Sequence, residues 1–388
     1  MSDTNCVMPS LGLAIQNNGD FCACNLNNWS YTDNKLEPLF AYKNTLEQAW
    51  ASPTRKMITI ALEKGRVLDS CQVCHDVEKS GRISVRQSLN QVFADVNPLP
   101  DQPKVMIIKP SNVCNLACRM CNPETSTGWY KDSLSLARID NPEISDREFF
   151  SRFNHIRDGL SDRNTEFWNT MKQWLPNFEF MDIYGGEPFL ATALFDALKH
   201  TADAGNAGSV SLRLHTNATI LNQDYLNVLT KFKFVNIGLS IDSHVPEQVE
   251  YIRYPVKHNE LVANIKTFVE WASQHKNISV SATVTVTTFN VFYIDEILKQ
   301  ISQLGLPATL NFVTTPGEYD ARHIPVDVKH KLLQHIQNTD VKKFVSQTIP
   351  GCDYFWPRFW KVTQQLDQLR NQDFAKVFPE FYKLINGA

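Results

Sequence analysis

From Lys104 onward, short runs rich in apolar and β-branched residues alternate with runs of helical period, and this alternation limits the fold more than any other feature of the chain. Strands are predicted over residues 105–108, 180–184, 210–215, 235–242, 278–288 and 309–313. Between them, Leu261, Ile265, Phe268 and Val269 recur at helical spacing, as do Ile294, Ile297, Leu298 and Ile301, after which Gly305 supplies a stop. Strands joined through helices pair in parallel. Parallel strands covered on both faces read as unbroken apolar runs, and these do not. Val235, Ile237, Leu239 and Ile241 alternate with Asn236, Gly238, Ser240 and Asp242, and Val280, Ala282, Val284 and Val286 alternate with serines and threonines. The expected class is α/β, with one sheet face packed on helices. The other face is solvated or, as the need for helices between parallel strands favours, concave and lined for a polar ligand. Asp182, Tyr184, Arg213, His215, Thr285 and Asn311 are expected to point into it. A closed eight-stranded barrel with an apolar interior fits this pattern less well.

The 388 residues, 43% of them hydrophobic, suffice for two or three domains with ordinary cores and exclude intrinsic disorder. With 38 basic against 41 acidic side chains and no basic block, electrostatic capture by nucleic acid is not expected. No apolar run approaches the length of a membrane helix, and the first residues lack the charged-then-apolar order of an export signal. A cytoplasmic protein with no membrane partner is expected. Three prolines within 97–103 predict a linker, which divides the chain into 1–96, the linker, 104–320 and a mostly helical 321–388. The aromatics of that last region read as core.

Nine cysteines in a chain without an export signal read as metal ligands before disulfides. Cys114, Cys118 and Cys121 follow directly on the first predicted strand. A [4Fe–4S] cube normally takes four thiolates, so three would leave one iron open to an exchangeable ligand. A zinc site completed by a fourth residue elsewhere is the alternative.

The C-x3-C-x2-C spacing on this loop resembles the radical S-adenosylmethionine (radical SAM) superfamily, in which the residue before the third cysteine is usually aromatic. Here it is Met120, which is polarizable enough to pack on an adenine face. Gly185, Gly186, Glu187 and Pro188 end the second predicted strand where that family has its GGEP motif. Thr216 and Asn217 follow the third strand, Ser240 and Asp242 close the fourth, and Arg253 comes after it. The resemblance spans roughly 104–315 and implies a partial (β/α)6 barrel. It also implies contacts from Glu187 to the SAM amino group, from Arg253 to its carboxylate, and from Thr216, Asn217, Ser240 and Asp242 to the rest of the cofactor. The implied chemistry is reductive cleavage of SAM to methionine and a 5′-deoxyadenosyl radical, which abstracts hydrogen from a substrate C–H bond.

Cys71 and Cys74 form a second knuckle, to which Cys6 and Cys24 would add two ligands. With Leu46–Trp50 and Lys64-Gly65 ahead of it, this region resembles the twitch/SPASM auxiliary-cluster modules, and a single such set fits twitch. The module lies before the barrel, as in small phage-type radical SAM proteins, which the chain also resembles at Cys118–Pro123 and in Phe378-Pro-Glu380. A second, saturated [4Fe–4S] cluster is implied, with a zinc knuckle as the alternative. Cys22 and Cys352 are left over. They are buried apolar residues, or one donates a hydrogen atom to a substrate radical, or Cys22 replaces Cys24 as a ligand. His215 is a candidate proton acceptor, and Cys352 with His215 make up the expected catalytic pair.

The expected protein is thus a partial (β/α)6 radical SAM barrel with a small N-terminal Fe–S, twitch-like module and a C-terminal helical extension. The expected substrate is a peptide or protein, with a sugar or nucleoside derivative as the alternative and a non-catalytic Fe–S or zinc interaction protein as a further one. The expected electron donor is a reductant such as flavodoxin or ferredoxin.

Overall fold

The six predicted strands form and lie side by side in chain order, extended at one edge by two strands the sequence did not reveal. The strands are β1 (Gly12–Ile15), β2 (Phe21–Cys22), β3 (Val105–Ile108), β4 (Phe180–Ile183), β5 (Ser211–Thr216), β6 (Phe234–Ser240), β7 (Ile278–Val286) and β8 (Ala308–Phe312). They make one sheet in the order β2-β1-β3-β4-β5-β6-β7-β8. Only β1 and β2 pair antiparallel, and every other neighbouring pair is parallel. The computed structural model describes residues 4–27, 29–79, 81, 83–94, 100–157 and 162–387. Residues 97–99 of the expected linker lie outside that set. The α/β class holds.

β1 escaped notice because four apolar residues in a row carry no period. Its identity comes from its neighbour, since Gly12 to Ile15 pair one for one with Val105 to Ile108. The N-terminal segment therefore shares the backbone ladder of the central sheet, a connection the sequence reading did not anticipate.

The alternation read from sequence is the alternation of burial. Successive residues of β5 and β7 alternate between half-buried and buried with a period of two. Leu212, Leu214, Val235, Ile237, Leu239, Ala282 and Val284 are buried in the main core. That core also holds Leu261, Ile265 and Phe268 of helix His258–Ser273. Helix Ile294–Gln303 ends close to where Gly305, with φ 72°, breaks it.

The opposite face changes character along the sheet. Across β4 to β7 it is polar, with Asp182 paired to Arg213 and Asn236 donating to Ser279 at 2.9 Å. At the β1–β3 edge it is apolar, where Met8, Leu11, Ala14, Cys22, Phe93, Val105 and Ile107 make a second core. Asn311, expected on the polar face, sits exposed on the edge strand β8. Past residue 320 the chain is helical, and Phe359, Phe374 and Phe378 are buried around Phe289 and Tyr251. Among the described residues no helix is long and apolar enough to cross a membrane.

Because Leu13 of β1 is fully buried in the main core, Leu13→Ala should lower the unfolding free energy by about 2–5 kcal/mol. Urea denaturation followed by far-UV dichroism checks this; an unchanged midpoint would mean that β1 is not part of the cooperative sheet.

Candidate active site

The carboxyl ends of β3, β4, β5 and β6 bring together the motifs that sequence alone could only place in a row. The loop after β3 carries Cys114, Cys118 and Cys121. The turn after β4 runs beneath it: Gly185 and Gly186 take φ of 91° and 59°, and a Cβ on Gly186 would lie 2.6 Å from the Val113 carbonyl oxygen and 2.8 Å from that of Ser111. Only glycine permits that approach. The Glu187 amide then donates to Val113 O at 2.8 Å.

Glu187 is buried, and its carboxylate accepts from Thr216 Oγ1 at 2.8 Å, from the Asn217 amide at 2.8 Å and from the Phe189 amide at 3.1 Å. Burial pushes its pKa up, and these donors work against that shift. Asn217 Nδ2 reaches the Cys114 thiol at 3.7 Å and Asn115 Oδ1 at 3.0 Å. The residues expected to touch cofactor thus also tie the ends of β4 and β5 to the thiol loop. Pro188 starts a short 3₁₀ turn, and Met120 is partly buried against the main core.

Asp242 and Arg253, expected to act on different parts of a cofactor, meet each other: their side chains pair at 2.6 Å and both are buried. Asp242 Oδ1 also accepts the Thr285 amide at 2.7 Å. Arg253 Nε is buried without a hydrogen-bond partner among the described residues, and its charge is felt at Cys118 and Cys121. Ser240 is half-buried at the end of β6.

The three thiols neighbour one another. The contact between Cys118 and Cys121, ahead of burial, raises Cys118 well above an ordinary thiol, while the same contact lowers Cys121. Burial pushes Cys114 up to about 11. Burial works against ionisation at Cys114 and Cys118, and a metal centre that takes them as thiolates would offset that cost. Among the described residues no three His, Cys, Asp or Glu converge closely enough for one metal ion. Three sulfur donors, a glycine turn beneath them and an unpartnered buried guanidinium N–H beside them fit a cluster that spreads its thiolates over separate irons, with an anionic ligand nearby.

The N-terminal cysteines also assemble, from three separate stretches. Cys6 lies within electrostatic range of Cys71 and Cys74, and Cys24 within that of Cys6, Cys22 and Cys74. Burial raises Cys6 to about 12 and Cys24 well above its ordinary value. Cys71 accepts from Asn27 Nδ2 at 3.6 Å. The backbone around Cys6 is anchored to helix Val85–Val92: Arg86 and Asn90 donate to Asn5 O at 2.7 and 2.8 Å, and Val7 N donates to Asn90. Cys22 is buried beside this group, accepting from Gln16 at 3.4 Å. Cys6 and Cys24 pack on the second core with Tyr184, on the sheet face that carries Asp182, Arg213 and His215.

His215 stands 3.5 Å from Asp182 and edge-on to the Tyr184 ring. Gly238 leaves room for it, since a Cβ there would lie 2.9 Å from the imidazole. Burial favours a neutral Asp182, but Arg213 and His215 outweigh it and hold the carboxyl below its usual range. Cys352 sits elsewhere, at the start of helix Cys352–Arg370, where its thiol donates to His323 O at 3.1 Å. The sequence reading missed Arg119, Asp367 and Arg370, which grip the thiol loop; Arg119 and Asp367 are 248 residues apart, so no local spacing shows it.

This arrangement of thiol loop and strand-end turns belongs to a known class. The family model described as "Radical SAM superfamily" matches residues 108–301, and the chain belongs to that superfamily. The family implies SAM and a [4Fe–4S] cluster as cofactors. Similar solved structures include native anSMEcpe with bound AdoMet, at 18% identity and TM-score 0.40 over 60% of this chain and 58% of that one. Streptococcus suis SuiB bound to S-adenosylmethionine is similar at 12% identity and TM-score 0.35, over 81% of this chain and 56% of that one. The chain thus spans a little over half the length of either. No curated protein matches it.

Gly186→Ala should cost at least about 1–2 kcal/mol for the left-handed backbone alone, read as a lowered melting temperature. At Asp182, a depressed carboxyl stabilises the fold above its unfolded pKa and loses that contribution as pH falls. Asp182→Asn should therefore trail the parent by a constant margin in urea at neutral pH, and the margin should shrink below about pH 5. A margin independent of pH would contradict the assigned pairing.

Proposed function

We propose that the protein is a radical SAM enzyme that removes hydrogen from a C–H bond of a peptide or protein substrate. The observation that carries this reading is the meeting of Cys114, Cys118 and Cys121 with the Gly185–Pro188 turn and the Asp242–Arg253 pair at adjacent strand ends. When bound, the reduced cluster and SAM supply a 5′-deoxyadenosyl radical.

The chain's own residues hold and orient these groups. Cys114, Cys118 and Cys121 are the proposed cluster ligands. The glycine turn brings backbone close to the methionyl end of SAM, and Glu187 holds the ends of β4 and β5 together while offering its remaining acceptor capacity to the amino group. Arg253, with a free Nε–H beside the thiols, is suited to the SAM carboxylate, and Asp242 fixes its orientation. Thr216, Asn217, Ser240 and Met120 complete the proposed SAM contacts. His215, poised between Asp182 and Tyr184, is the proposed proton acceptor. Cys352 bonds within the C-terminal helical region, which favours its structural reading over hydrogen donation.

Cys6, Cys24, Cys71 and Cys74 are the proposed ligands of a twitch-like auxiliary cluster, and a flavodoxin or ferredoxin is the proposed electron donor. An apolar-walled cavity of about 470 Å³ beside the thiol loop, lined by Asn112, Val113, Tyr130, Phe150, Phe153 and Leu190, suits an amino-acid side chain. The polar row Asp182, Arg213, His215, Asn236 and Ser281 favours the second reading, a sugar or nucleoside derivative.

Anaerobically reconstituted protein should hold about eight iron with matching sulfide for two cubane clusters. About four iron and one zinc would instead make the N-terminal set a structural knuckle. With dithionite and SAM the protein should release 5′-deoxyadenosine. Cys118→Ala should abolish that product and Cys71→Ala should spare part of it; no product from the parent protein would overturn the enzyme reading.

A further inference from the structure

The thiol loop is held from outside the matched family stretch by one helix. Arg119, between Cys118 and Met120, is fully buried. Its guanidinium donates to Asp367 at 2.5 Å, to Gln372 at 2.9 Å and to the Tyr251 carbonyl at 3.1 Å, and it stacks 3.5 Å from the Tyr251 ring centroid. Two residues before Arg119, the Ala117 carbonyl accepts from Arg370 at 2.9 Å, and Arg370 pairs with Asp132 at 2.8 Å. Asp367 and Arg370 occupy neighbouring positions in the last turn of helix Cys352–Arg370, whose Trp360 packs on Phe374 and so on Phe378.

A buried charge commits its neighbours to one arrangement, because any other leaves it uncompensated. Surface burial would serve mere adhesion of a helix; here two guanidinium groups instead take named oxygens on the loop and on its supports. The Ala117 and Arg119 amides are fixed as well, donating to Tyr254 O at 2.6 Å and Ile252 O at 2.8 Å. The Ala117 main chain and both the main chain and side chain of Arg119, which flank Cys118, are thus pinned from two sides.

We propose that helix Cys352–Arg370 is a latch that sets the geometry of the thiol loop, with Asp367 and Arg370 as its positioning residues. The consequence for a bound cluster rests on the function proposed above; the latch itself does not. The helix end fixes Arg119 and Ala117, and through them Cys118, before any cofactor arrives.

The test compares Asp367→Asn and Arg370→Lys with Arg358→Ala, which removes a half-exposed arginine of the same helix from its pair with Glu318 of the turn Gly317–Tyr319, away from the loop. In metal-free protein, amide hydrogen exchange across 114–121 should quicken about tenfold or more in the first two, the scale of one charged hydrogen bond, and stay at the parental rate in the third. In reconstituted protein, the same two variants should lose iron faster to a chelator and show an altered cluster EPR spectrum, which a general loss of stability would not produce. Parental exchange and iron retention in Asp367→Asn and Arg370→Lys, or an equal rise in Arg358→Ala, would overturn the latch. If Asp367→Asn does not fold, Arg370→Lys, which keeps the charge, decides. A parent that takes up no iron would overturn the cluster reading, while the exchange comparison would still judge the latch.

Discussion

A buried carboxylate needs donors, and Glu187 takes its donors from two places at once. Thr216 and Asn217 come from the end of β5 and Phe189 from its own turn, while the Glu187 amide reaches back to the loop after β3. Three strand ends are thereby joined through one side chain and its backbone. The Gly185–Gly186 turn is the geometric condition for this: any Cβ at Gly186 would push the Val113 carbonyl away and open the junction. The rest of the site hangs from that point, since Asn217 carries it on to Cys114.

Charge does for the far side of the loop what Glu187 does for the near side. Arg253 with Asp242, Arg119 with Asp367, and Arg370 with Asp132 are three buried or largely buried pairs drawn from different parts of the chain. Apolar packing alone would leave the loop several arrangements of similar energy. Directional bonds to buried charges leave few, since each alternative strands a charge. The sheet beneath is ordinary in comparison: its helix-facing side is a closely packed aliphatic core, and its polar face is where side chains find partners across strands rather than in water.

Much of this was legible from residue order. A period of two in β5 and β7 marks one buried and one polar face, and the cysteine triplet with the glycine turn names the family, because those features are local. What stayed hidden depends on distant partners. β1 is four apolar residues whose role is set by β3, some ninety residues on. Asp242 and Arg253 also pair with each other, which their separate places in the sequence did not show. Asp367 and Arg370 sit in a region read only as helical with aromatic core, and nothing near Asp367 points to a loop 248 residues away.

The N-terminal cysteines follow the same logic of place over order. Cysteines that come before the matched family stretch in sequence look displaced when read along the chain. In the sheet, position is set by pairing, and β1 joins β3 in parallel while β2 turns back as a short edge strand. Cys24 lies two residues past the end of β2, and Cys6 two residues ahead of the short helix Met8–Leu11 that leads into β1. Pairing of β1 therefore delivers both thiols to the face that carries Tyr184, Asp182 and His215, whatever their place in the chain. The helix bearing Cys74 has no buried residue of its own and is held through the Arg86–Glu78 pair and the Asn5 carbonyl. Such a segment gains little from apolar burial, so ligation at Cys71 and Cys74 would contribute a large share of what orders it.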